Sequence, residues 1–256
     1  MTDDVPGLLV ALEAGVLRLT LDRPDSLNSL TVAMANGLRD QIIRAEDDPD
    51  VRVVLLAGNG RGFSSGADLS GDGASSEAVQ LVNNSILGLR RLGKPVVSAV
   101  HGPAAGVGVS LALAADLVIA AESAYFLLAF ANVGLMPDGG STALVTAAVG
   151  RARAMRMAML AERLPARTAQ EWGLISHVVA DEGFDTELTA VLTQLAAGPP
   201  LAYARTKAAI NAAALPELEA ALAREASGQF ELLHSKDFLE GAMAFRERRT
   251  PRFTGA

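Results

Sequence analysis

Three short stretches of this chain carry residue types that can manage a negatively charged oxygen and one mobile proton. Ser64-Ser65-Gly66-Ala67-Asp68 and Gly106-Val107-Gly108 set glycines beside small residues, so a ligand could approach the main chain closely. A helix opening at Gly106 would leave its first amides without intrahelical acceptors, their dipoles aimed at whatever lies beyond that end. The Gly66-Ala67 turn could offer a second amide, from Ala67, and two amides converging on one point make an oxyanion hole. The plainer reading is two ordinary glycine turns. In the third stretch, Pro137-Asp138-Gly139-Gly140-Ser141-Thr142, the single acid has two readings as well. Asp138 caps the apolar run 143–149 as the start of a helix, or it is a general acid/base with a pKa raised by Phe130, Leu135 and Met136. Sequence spacing does not choose between them.

Other chemistries fail on their spacing. Gly106-x-Gly108 opens like a dinucleotide fingerprint, but Leu111 stands where glycine or alanine is required. Gly108-Val109-Ser110-Leu111-Ala112 has the outline of a nucleophile elbow, yet Ser110 falls inside the helix instead of on a strand-to-helix turn. His101, His177 and His234 are far apart and make no metal-ligand spacing; His101, just before Gly102-Pro103, is the one placed near the candidate site. Arg246, Arg248, Arg249 and Arg252 are read either as a solvated helix end or as a clamp for phosphate.

These groups must be held by a scaffold, and the apolar pattern outlines one. Runs 8–12 and 16–21 flank Glu13-Ala14-Gly15 as a hairpin, the second alternating Leu17, Leu19 and Leu21 with Arg18 and Thr20. Leu30, Met34, Leu38 and Ile42 recur every four residues, an amphipathic helix with Ser29 or Thr31 as its cap. Val51 to Ala57, Pro95 to Val100 and Leu117 to Ala121 are continuous apolar runs, the pattern of strands covered on both faces. A Gly- and Ser-rich loop to about Ser76 and a helix through Val79, Val82, Ile86, Leu89 and Leu92 lie between the first two. Strands alternating with helices imply an α/β core with crossover connections. From about Ala152 onward the pattern is helical, and its last helix is expected to open with Asp237 and Glu240 as a capping box.

Composition narrows the partners. The 256 residues are half apolar, enough for one substantial core with an appendage, and the net charge of −7 argues against a nucleic-acid partner. With no cysteine there is neither a disulfide nor a thiolate site, which fits a cytoplasmic protein. The start, MTDDVPG, lacks the basic and apolar regions of a signal peptide. The stretch 104–121 has the length of a membrane span, but Gly106, Gly108, Ser110 and Asp116 within it favour a buried helix and strand, so no membrane partner is expected.

Taken together, the motifs LDRPDSLNSL at 21–30, GFSSGADLS at 62–70, KPVVSAVHGPAAGVG at 94–108, AADLVIAAESAYF at 114–126, GLMPDGGST at 134–142 and EGAMAFRERRTPRF at 240–253 resemble the crotonase superfamily of enoyl-CoA hydratases and isomerases. The resemblance implies an α/β fold, a spiral of ββα units over residues 1–200. A C-terminal helical region, 201–256, would build homotrimers or dimers of trimers. It implies an acyl-CoA thioester whose carbonyl oxygen rests on the amides of Ala67 and Val107. Arg23, Ser65, Gly66, Asp68, Leu69, Gly106, Phe130 and Arg249 would lie along the substrate or its CoA. No further cofactor is expected, CoA being part of the substrate. Two departures matter: Ser110 and Phe130 occupy the positions of the glutamates that hold water in hydratases. Asp138 matches the acid of some isomerases of the family. The expectation is therefore an enoyl-CoA isomerase working through one aspartate, with a non-catalytic acyl-CoA binder and a slow hydratase as the alternatives.

Overall fold

The structure, a computed structural model, describes residues 5–69, 71 and 73–256. The acidic segment 1–4 and Ser70, the last residue of the second motif, lie outside the described residues. In chain order the elements are β1 (Leu8–Glu13), β2 (Val16–Leu21), α1 (Val32–Asp47), β3 (Val53–Gly58), α2 (Ser76–Arg91), β4 (Val96–Val100), β5 (Pro103–Ala105), α3 (Val107–Leu113), β6 (Leu117–Ala121) and β7 (Tyr125–Leu127). There follow α4 (Ser141–Leu160), β8 (Leu164–Pro165), α5 (Ala166–Glu171), β9 (His177–Val179), α6 (Phe184–Ala197), α7 (Pro200–Ala214), α8 (Leu218–Leu233) and α9 (Lys236–Glu247).

The main sheet runs β1-β2-β3-β4-β6-β9. Only the β1–β2 hairpin is antiparallel; its turn places Ala14 and Gly15 at positive φ. Because side chains alternate along a strand, the continuous apolar runs serve two cores at once. Val54, Leu56, Val96 and Val100 face the larger core with α1 and α2, whereas Val53, Leu55, Val97 and Ala99 face Leu188 and Leu192 of α6. Thr31 caps α1 through its hydroxyl. The 104–121 stretch is the fully buried α3 followed by β6, and its Asp116 is paired with Lys207 at 2.9 Å. No helix among the described residues is long and apolar enough to cross a membrane.

A second sheet, β5-β7-β8, feeds the candidate site. Its strands of two or three residues are too short to show periodicity in sequence, and β8 and β9 interrupt the region expected to be helical throughout. The helical stretches expected on either side of residue 150 are present as the two halves of α4, parted at Gly150, where φ is 75° and ψ is 161°. The last helix corrects another expectation. Ser235, not Asp237, caps it by accepting from the Phe238 N–H at 3.0 Å, and Asp237 instead accepts from the Thr254 and Gly255 N–H groups of the chain terminus.

Candidate active site

The two amide-bearing turns are brought together by strand register. Ser64 bridges Ala104 in parallel, with Ser64 N donating to Pro103 O at 3.0 Å and Ala105 N to Ser64 O at 2.8 Å. Ala67 and Val107 each lie three residues beyond that bridge, so the two segments arrive side by side. Where they touch, a Cβ on Gly66 would meet Ala105 O at 2.9 Å and Gly106 Cα at 3.4 Å, so this approach requires glycine. Gly66 and Gly106 also sit at φ +97° and +52°, which other residues avoid.

Ala67 forms a parallel bridge with Leu30 in which Leu30 donates to Gly66 O and Asp68 donates back to Leu30 O. That pattern turns the Ala67 N–H itself away from Leu30. Val107 is the first residue of α3 and has no acceptor a turn behind it. Among the described residues neither the Ala67 nor the Val107 N–H donates to a protein acceptor. The turn holding Ala67 is fixed from below. Ser64 Oγ donates to Asn28 O at 2.9 Å and accepts from the Gly66 N–H at 3.2 Å, while the Asn28 side chain grips Arg23 N, Asn59 O and Gly62 O.

Asp138 is buried, 7% exposed, in the loop between a 3-10 turn at Ala129–Val133 and α4. Its side chain does not cap α4. Gly140 is the cap residue, and only the Asp138 main-chain carbonyl accepts from Ser141 N. One carboxylate oxygen, Oδ2, accepts from Gln229 Nε2 at 2.8 Å; the other, Oδ1, is buried without a partner. Burial, opposed by the Gln229 amide and assisted by the Glu225 carboxylate, pushes its pKa up to about 7. The apolar surroundings expected to raise it are thus joined by a charge that sequence reading missed.

That charge comes from α8. Glu225 is 1% exposed and accepts from Gly140 N at 2.6 Å, Thr142 N at 2.9 Å and the Thr142 hydroxyl, so it supplies the cap that α4 lacks in its own sequence. Gln229, one turn on, accepts from Met136 N at 3.3 Å. A signal for both existed. Leu218, Ala221, Leu222, Glu225 and Gln229 form one buried stripe, so an acid and an amide stand on the apolar face of a helix.

The remaining expected residues fall into two groups. Ser110 donates to Asp138 O at 2.7 Å, and a Cβ on Gly139 would lie 2.8 Å from Ser110 Cβ; the position expected to match a hydratase glutamate is thus packed against the aspartate loop. Phe130 is buried in the Ala129–Val133 turn, its carbonyl accepting from Leu135 N. Arg23 donates to Asp68 Oδ2 at 2.8 Å and to Ser29, while Ser65 Oγ donates to Ser26 O, so Arg23 and Asp68 brace one another and Ser65 is tied to the 24–26 turn, with Leu69 half-buried. Arg249 is not drawn to these groups. Its guanidinium is engaged by Glu240 and Glu247, and its pKa is pushed up by them. His101 is half-buried with its ring nitrogen 2.9 Å from Gly60 O and plays no part in the geometry around Asp138.

Two amides without protein acceptors on adjoining segments, a buried acid and an α/β scaffold outline a class, and comparison with known proteins identifies it. The enoyl-CoA hydratase/isomerase family model matches residues 11–256, and the chain belongs to that family, the crotonase superfamily. A Rhodobacter capsulatus protein named as a probable enoyl-CoA hydratase is 44% identical over 95% of this chain and 96% of its own length. The 1,2-epoxyphenylacetyl-CoA isomerase of Escherichia coli is 40% identical over 97% of this chain and 98% of its own length. Among solved structures, an enoyl-CoA hydratase from Mycobacterium avium subsp. paratuberculosis superposes with a TM-score of 0.94 at 53% identity, covering 98% of this chain and all of that one.

Proposed function

We propose that the chain is an isomerase of acyl-CoA thioesters in which Asp138 moves one proton and the Ala67 and Val107 amides stabilise the enolate. The observation that carries this reading is the Asp138 carboxylate itself: buried, poised near neutrality, and with one oxygen unpartnered. A group that must accept and return a proton at neutral pH works best with a pKa close to the pH. For a 3-enoyl thioester, Oδ1 takes a proton from C2, and the C–H electron pair delocalises into a dienolate whose oxygen accepts from the two amides. The same proton is then delivered to C4, leaving the double bond between C2 and C3. No water enters the balance, in keeping with Ser110 and Phe130 at the two positions where hydratases of the family hold it.

The similarity to the 1,2-epoxyphenylacetyl-CoA isomerase supports isomerisation over hydration. The similarity to proteins named as hydratases supports a second reading, slow hydration with Asp138 alone directing water. The test is turnover of 3-enoyl-CoA by wild type and Asp138→Asn. Double-bond migration lost in the variant is expected, and retained turnover would end the assignment. The CoA would lie across the Arg23 to Leu69 segment and Gly106, with Phe130 against the acyl chain. A homotrimer or a dimer of trimers is proposed from the family resemblance, with exposed Met159, Phe230, Leu239 and Phe245 on α4, α8 and α9 as apolar surface available for association; a monomer mass in sedimentation would exclude it.

A further inference from the structure

Two buried polar side chains on α8 are left over once Asp138 and the amides are given their roles. Helix packing alone does not ask for either, since a buried acid and amide cost stability where apolar residues would add it. Both converge on the same loop, residues 134–142, which holds Asp138.

Gln229 has only one stable orientation. The Met136 N–H points at its Oε1, so its Nε2 must face Asp138 Oδ2; a flipped amide would set donor against donor at one end and acceptor against acceptor at the other. Oδ2 therefore always faces an N–H donor. A proton arriving on Asp138 has to reside on Oδ1, the oxygen without a partner. Glu225 is fixed just as tightly, with both carboxylate oxygens accepting from the first turn of α4, next to Asp138.

We propose that Gln229 and Glu225 are positioning residues for Asp138: the amide assigns the mobile proton to Oδ1, and the carboxylate sets how readily that proton is held. The proposal deepens the isomerase reading and rests on it for the identity of the acid. Burial and the Glu225 carboxylate raise the proton affinity of Asp138, while Glu225 itself is raised by burial and opposed by its Thr142 and Gly140 donors and by Arg224. The loop 134–140, α3 and the first turn of α4 add no other titratable side chain. On the packed α2, Arg90 turns to Asp116 and Asn211, and Arg91 to Glu219; on α9, Asp237 holds the chain terminus and Glu240 holds Arg249.

The two residues act in opposite directions, and that makes the proposal testable in the full-length protein. Carbon-13 NMR of carboxyl-labelled aspartate reads the Asp138 titration directly, its signal assigned by loss in Asp138→Asn. Glu225→Gln removes a negative neighbour and lowers the midpoint by about one pH unit, whereas Gln229→Met removes a donor to the carboxylate and raises it by a similar amount. The pH limb of kcat moves with each midpoint while KM stays in place. Midpoints that do not move, or that both fall toward the ordinary aspartate range as water enters a loosened site, overturn the proposal. The isosteric Glu225→Gln decides alone if Gln229→Met does not fold. Failure of the isomerase reading is seen separately, as 3-enoyl-CoA turnover surviving in Asp138→Asn.

Discussion

Replacing Asp138 by Asn should make the protein more stable in a way that depends on pH. In the folded protein the carboxyl has a pKa of about 7, against 3.8 for the free group. A folded acid with a raised pKa holds its proton more tightly than the unfolded chain does. Its contribution to stability is fully present below 3.8 and is lost as the pH rises through 7. Relative to the protonated form, the ionisable group weakens folding by about 2 kcal/mol at pH 5 and about 4 kcal/mol at pH 8. Asparagine has the same shape and does not titrate, and Glu225 titrates in both proteins, so its contribution largely cancels. The stability gained by Asp138→Asn should therefore be about 2–3 kcal/mol larger at pH 8 than at pH 5. Urea unfolding of both proteins at the two pH values reads this, at one protein concentration so that any association cancels. Parallel pH dependences, or a gain larger at pH 5, would refute the argument that a buried, near-neutral carboxyl is maintained here at a cost in stability.

Three further outcomes follow from the same geometry. Gly66→Ala, whose Cβ would lie 2.9 Å from Ala105 O at a φ of +97°, should displace the Ala67 amide and lower kcat about 10²–10³-fold, with circular dichroism showing the fold retained. Ser110→Glu should not create a hydratase. It overpacks against Gly139 and removes the hydroxyl from Asp138 O, so it should cost about 1–3 kcal/mol in urea unfolding and yield no 3-hydroxyacyl product. Lys207→Met should cost about 1–3 kcal/mol by removing the near cation of Asp116, which keeps Arg90 at 4.0 Å, and by leaving Leu89 O without its donor; adding Asp116→Leu should recover part of the loss in the same unfolding assay.

The scaffold was largely legible in the chain because its strands are covered on both faces and its helices on one. Continuous apolar runs announced β3, β4 and β6, and the four-residue spacing of Leu30 to Ile42 announced α1. Strands of two or three residues such as β5, β7 and β8 left no pattern, since their pairing is set by neighbours far away in sequence. The amide turns were legible through their glycines, which only close backbone contact and positive φ explain. Asp138 was legible as an acid, but its partners were not. Glu225 and Gln229 stand more than eighty positions on, and nothing local to α8 says that its polar pair faces the 134–142 loop. The arginine tail shows the reverse: a basic cluster that suggested phosphate turns, in Arg249, to Glu240 and Glu247 on its own chain.

The central claim is that this site moves a proton along an acyl chain without adding water. Proton NMR of 3-enoyl-CoA incubated with the enzyme in deuterated water tests it most directly, because one spectrum distinguishes the products. The account predicts a 2-enoyl thioester formed by wild type and not by Asp138→Asn. A 3-hydroxyacyl thioester as the main product, or an unchanged substrate with no exchange at C2, would contradict it.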